Sequence, residues 1–303
     1  MSSGYIVTIL TFVAIYISLA LSLNILTGYA GQISLGHAAF LGIGAYTSAV
    51  LAVRYGLPFW VDFLAAVVVT GMIGTILGLP SLRVRHDFLV LATMGVNFVV
   101  VSVFKYVDFF GGAMGLVNIP APTILGLTFR GGAPYLTLTA IYALLTLAVC
   151  WYLSKTWSGL AFHAIRNDED AAASVGVGSA RYKIYAFGIS AALAGGAGSL
   201  YAHFLGSVFP DNFVFVESIG MLSMVIFGGI GTLRGPIIGA IFLRLMPEMF
   251  RFIQDYRFTL YGALLVLMML FQPMGLLGKD SWLWKFSTRV WPGYRSSKRE
   301  EMP

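Results

Sequence analysis

Apolar residues in this chain fall in long, nearly unbroken runs, not in the strict alternation of half-buried strands. Runs of roughly 17–25 residues are long enough to cross the hydrocarbon core of a bilayer as helices. Nine such runs are legible, at 5–26, 38–54, 59–82, 88–106, 135–154, 182–204, 215–233, 236–250 and 258–273. The run at 236–250 is short for a full crossing, and a re-entrant segment is the alternative there. The pattern predicts an all-α fold, a polytopic transmembrane helical bundle of about 8–10 spans. Glycine clusters lead into the second and eighth runs, so glycine-interrupted helices are expected.

Composition supports a membrane setting. Apolar residues make up 58% of the chain and charged residues 11%, with a mean hydropathy of +0.83. A soluble domain carries about 25% charged residues, and this chain has too few to coat a water-facing surface. The single cysteine, Cys150, excludes an intrachain disulfide framework and a Cys-rich metal site. The net charge of +6 does not point to nucleic acid, because the basic residues cluster in loops that flank the spans. Residues 1–5 contain no Lys or Arg, so the first run reads as a retained span and not as a secretory signal. The expected organisation is a transmembrane domain at 1–278 and a cytoplasmic tail at 279–303. Trp282, Trp284 and Trp291 mix there with six basic residues, as in an anchor at the lipid interface.

Orientation follows from the excess of Lys and Arg in cytoplasmic loops. The regions at 83–87, 155–183, 234 and after 278 hold 13 of the 19 basic residues, and the opposite loops hold five. Placing the richer set inside puts the N-terminus outside and the C-terminus in the cytoplasm. The outer stretches at 108–134 and 206–214 are then exposed for docking, and the first is rich in Gly and Pro.

Two glycine segments have a chemistry of their own. LTGYAGQISLGHAAFLGIGAY, residues 26–46, places Gly28, Gly31 and Gly36 where a continuous helix is disfavoured, with Gln32, Ser34 and His37 close by. Freed backbone groups at membrane depth must find partners. One reading is an unwound stretch lining a translocation pathway. The other is close helix packing through small residues, and residue type alone weighs the two about evenly. Gly228, Gly231 and Gly235 form a weak echo of the same pattern, as paired broken helices do in transporters. His37 by itself reads as a hydrogen-bonded structural residue.

The loop GLAFHAIRNDEDAAASVGVGSARYK, within 155–183, contains a short predicted helix. Asn167 or Asp168 caps it, Asp168, Glu169 and Asp170 suit its positive end, and Ala171, Ala172 and Ala173 propagate it. Gly176 and Gly178 end it. About six to nine residues are too few for a stable isolated helix, so a partner surface is expected. Among other polar residues, Glu217 opens a span, Arg244 and Glu248 are spaced for pairing, Asn24 and Asn97 suit interhelical hydrogen bonds, and Asp62 lies near an interface without a special role. No GxxxxGK followed by Ser or Thr occurs, nor any HExxH, so the chain is not expected to be an enzyme or to hydrolyse ATP itself. No metal site is expected.

Together with KIYAFGISAALAGGAGSLYA and FGGIGTLRGPIIGA, these segments resemble the branched-chain amino-acid ABC transporter permeases, in particular their M-type subunits. The resemblance covers residues 20–250 in order. It implies an H-type second permease subunit, two cytoplasmic ATP-binding subunits that use ATP and Mg, and a periplasmic solute-binding protein. This chain itself would bind no cofactor. The resemblance also implies that Asn167, Asp168, Glu169, Ala171, Ala172 and Gly176 form a coupling helix that enters a groove of the ATPase. Asp170 is interposed relative to the usual EAA-xxx-G pattern, and no Leu-Pro follows. Similar permeases serve urea, amides and aromatic acids. The rival from another class is an ion-coupled secondary transporter acting alone, for which Glu248 is the one fair mid-span acid.

Overall fold

A computed structural model describes residues 3–80, 86–124, 127–129 and 131–249, with single positions at 259, 262, 263, 266, 267 and 270. The tail at 279–303 and most of the ninth run lie outside these. Among the described residues, seven helices are long and apolar enough to span a membrane. They are α1 (Ser3–Asn24, extended by a π-turn at Ile25–Tyr29), α2 (His37–Tyr55), α3 (Phe59–Gly78), α4 (His86–Tyr106), α5 (Gly132–Lys155), α8 (Ser179–Leu205) and α9 (Phe215–Gly228, whose span starts in the 3₁₀ turn at Pro210–Phe213). Between α5 and α8 lie two shorter helices, α6 (Trp157–Asn167) and α7 (Glu169–Ser174). The eighth run becomes α10 (Arg234–Met249), of 16 residues.

Small residues decide the packing. Lipid gives no hydrophobic drive between helices, so close backbone approach and interhelical hydrogen bonds must hold them. α8 is the central pillar, with α2 and α3 against it. The buried positions of α3 are Phe59, Asp62, Ala66, Thr70, Gly74 and Gly78, one stripe at helical spacing. Gly74 in this stripe meets Ala191 and Phe187 of α8, and Thr70 meets Gly195. On the other side of α8, Gly195 and Gly198 touch the backbone of α2 at Gly44 and Ala45. The remaining faces of α3, α4 and α5 are largely exposed apolar surface, suited to lipid or another subunit.

The connections sort onto two opposite ends. One end gathers the stretch after α4, the α2–α3 turn and the α8–α9 link. There β1 (Leu116–Val117) pairs antiparallel with β4 (Ser207–Val208), a second two-stranded ribbon joins β2 (Thr123–Ile124) to β3 (Leu127–Thr128), and Arg54 donates to the Asp108 carbonyl at 3.2 Å. The 108–134 stretch is therefore a folded cap, joined to 206–214. The other end gathers residues 25–36, the α6–α7 loop and the turn at 229–233.

Asp62 lies in the first turn of α3, near a span end as expected. It is fully buried, with Oδ2 3.9 Å from His203 Nε2. His203 Nδ1 lies 2.7 Å from the Pro120 carbonyl, which can only accept. The ring therefore donates there, and Nε2, 3.0 Å from Ser48 Oγ, accepts the serine hydroxyl. These hydrogen bonds tie the cap to α2 and α8, with Asp62 of α3 beside them. Asn24 and Asn97 are interhelical hydrogen-bonders, as expected; Asn97 donates to the Phe213 carbonyl at 3.2 Å. The Arg244–Glu248 pairing falls on a Glu248 side chain outside the described residues. The Arg244 guanidinium lies over the rings of Phe12 and Tyr16, and Tyr16 donates to Glu217 at 3.1 Å.

Candidate functional site

The loop at 155–183 is an elbow of two helices. The first, α6, buries Gly159, Ala161, Phe162 and Ile165 against the bundle and leaves Trp157 and Leu160 outward. This is the pattern of a helix lying at the membrane surface. The chain extends at Asp168 (φ −158°, ψ 113°), and Asp168 Oδ1 accepts the amide of Ala171 at 2.9 Å, starting α7. Gly176, at φ 85°, ends it in a conformation that suits glycine. Glu169 Oε2 receives the buried Lys183 ammonium at 2.6 Å, fastening α7 to the base of α8.

The capped helix predicted at 167–176 is thus present, with six residues. Its faces were not predictable from the alanine run. Ala172 is 4% exposed and packs inward, whereas Ala171, Ala173 and Val175 point away from the chain. Val175, at 77% exposed, is the apolar tip. Removing the cap with Asp168→Ala should cost about 1 kcal/mol and raise amide exchange across 169–174 roughly fivefold. Hydrogen–deuterium exchange of the solubilised chain checks this.

The two glycine segments meet each other at the same end of the bundle. A Cβ on Gly28 would lie 2.6 Å from the amide nitrogen of Gly231. Asn24 locks the contact, its Oδ1 accepting from Gly231 N and its Nδ2 donating to the Thr232 carbonyl, each at 2.9 Å. Gly31, Gly229 and Gly231 have positive φ of 70°, 127° and 78°. Gly36 presses on the Thr93 carbonyl of α4, and Gly228 and Gly235 press on each other. His37 is fully buried with Nε2 2.8 Å from Ser22 Oγ, and Ser34 Oγ accepts the amide of Gly36 at 3.3 Å. Gln32 is also buried. Several of the expected pathway residues therefore have packing partners inside this chain, and Ile33, at 46%, is the side chain that the segment exposes.

Residues 5–271 match a family described as branched-chain amino acid transport system, permease component. The chain belongs to this permease family. It is 38% identical over 295 residues to the high-affinity branched-chain amino acid transport system permease protein LivM of Salmonella typhimurium, covering 89% of this chain and 69% of LivM. The same figures hold for LivM of Escherichia coli. Identity to LivH of Escherichia coli, a permease protein of the same description, is 24% over 283 residues, covering 87% of this chain and 91% of LivH. No solved structure gives a significant match. The permease is thus a multi-pass membrane transport protein, and its likeness to both LivM and LivH suggests a second permease subunit as its partner.

Sequence reasoning missed Arg166. Its guanidinium donates to the carbonyl of Gly28 and lies against Gly231. Burial lowers its pKa below the ordinary arginine value. A lone Arg ending an amphipathic helix gives no signal of so distant a partner.

Proposed function

We propose that this permease is one of two membrane-spanning subunits of an ABC importer for branched-chain or closely related apolar amino acids. The partners are an H-type permease subunit, two cytoplasmic ATP-binding subunits that use ATP and Mg, and a periplasmic solute-binding protein. The observation that carries the reading is the six-residue, Asp-capped α7, set on the opposite end from a folded loop cap. An ATP-driven partner on one side and a docking protein on the other would each find a surface in this arrangement.

The Lys and Arg excess places 155–183 in the cytoplasm and the N-terminus in the periplasm. The loaded binding protein then docks on the cap at 108–134 and 206–214. α7 seats in the ATPase through Ala171, Ala173 and Val175, with Asp168 and Glu169 holding its geometry. The glycine segments at 28–36 and 228–235 form the inner mouth, and the solute crosses between this chain and its partner permease.

Reconstitution tests the whole reading. Vesicles containing both permeases and the ATPases should take up leucine only with ATP and the binding protein. Uptake by this chain alone, driven by an ion gradient, would establish the secondary-transporter alternative instead.

A further inference from the structure

Three elements converge at Arg166. α6 ends there, one residue before the joint that starts α7. Its guanidinium donates to the Gly28 carbonyl, within the π-turn where the α1 ladder ends and a carbonyl needs a new donor. The same group lies beside Gly231, in the turn between α9 and α10. The contact is also one of backbone shape. A Cβ on Gly31 would come within 3.0–3.2 Å of Arg166 Cγ, Cα and Cβ, so the end of α6 rests directly on the Gly31 turn. Asn24 joins the two glycine segments to each other, and the rings of Tyr29 and His163 add a second contact between the π-turn and α6.

The direction of transmission follows from this geometry. α7 is short and its outward face belongs to a partner, so a push on it leaves through its inward side at Ala172 and through its two ends. One end is the Glu169–Lys183 bridge to α8. The other is the Asn167–Asp168 joint, which leads straight to Arg166. We infer that Arg166 is the positioning residue that delivers displacement of α7 to the inner ends of α1, α9 and α10, opening and closing the solute path there. The inference rests on the proposed seating of α7 in an ATPase. Arg suits the task because it has five donors in a rigid fork, enough to hold one carbonyl while spanning a second turn, and it stays charged at any cellular pH.

The test uses the complete transporter with Arg166→Gln and Arg166→Lys, scored for solute uptake and ATP hydrolysis in the same vesicles. With Arg166→Gln the complex should still assemble and hydrolyse ATP, while solute moved per ATP falls on the order of tenfold, the factor that one charge-assisted hydrogen bond carries. Arg166→Lys, which keeps a charged donor, should recover part of it. A second readout places spin labels at Ile33 and Leu64, both exposed. Trapping ATP should shift their separation in the parent protein but not in Arg166→Gln. Unchanged solute per ATP, or an unchanged label shift, in Arg166→Gln overturns the inference and leaves the ATPase docking of α7 standing. Failure of the parent chain to bind ATPases overturns the docking reading itself. If Arg166→Gln does not assemble, Arg166→Lys decides alone: parental solute per ATP together with a parental label shift overturns the inference, and a fall in either supports it.

Discussion

Ala173→Arg is expected to leave this permease folded and to abolish import. The substituted side chain is exposed, on the flank of α7 opposite Ala171 and Val175, so the fold has room for it. A groove shaped to small side chains does not. Overpacking such a contact costs roughly 1–3 kcal/mol, about 5- to 150-fold in a docking equilibrium. A guanidinium driven into the contact without a carboxylate adds a desolvation cost. Hydrolysis stimulated by the loaded binding protein should fall with uptake, while the melting temperature of the solubilised chain stays at the parental value. Ala172→Arg answers a different question: at 4% exposure it strikes the permease's own packing and reports folding. Parental stimulation in the Ala173 variant would remove this face of α7 from the ATPase contact.

The spans were legible because lipid imposes a simple rule, a long apolar run for each crossing, and each of the seven long helices lies on one of those runs. The limits of α7 were legible for local reasons, an Asp that accepts an amide three residues on and a Gly that takes positive φ. Long-range geometry was not. The alanine run could not show that Ala172 turns inward, since that depends on where α6 and α8 lie. Two-residue strands have no period to detect, so the β1–β4 pairing was hidden. The place of Asp62 near a span end was legible, whereas its full burial beside His203 of another helix was not. The glycines left lining and packing equally open. The structure answers differently for different positions, with close approach at Gly28, Gly36, Gly228 and Gly235, and left-handed backbone at Gly31 and Gly231.

Gly44→Ala should collapse the bundle's stability although it adds one methyl group to a helix. A Cβ at Gly44 falls 2.6 Å from the carbonyl carbon of Gly195 on α8, and the atoms it meets are backbone, so no rotamer change relieves the clash. α2 and α8 must separate, and the neighbouring contacts go with them. One is the 2.8 Å bond between Ser48 and Ser199, and another is the seat of Gly198 against the Ala45 amide, where the corresponding Cβ distance is 2.8 Å. Better helix propensity returns at most about 1 kcal/mol, against an overpacking cost of about 3 kcal/mol where nothing can yield. The same substitution at Gly95, in the middle of α4 with nothing within 4 Å, keeps the propensity gain without the clash. The two variants should therefore move in opposite directions in thermal unfolding of the isolated, solubilised chain. Gly44→Ala should melt roughly 5 °C or more below the parent, and Gly95→Ala at or above it. Equal melting temperatures for the two would mean that α2 and α8 do not touch through bare backbone, and that packing at the centre of this bundle rests on something other than its glycines.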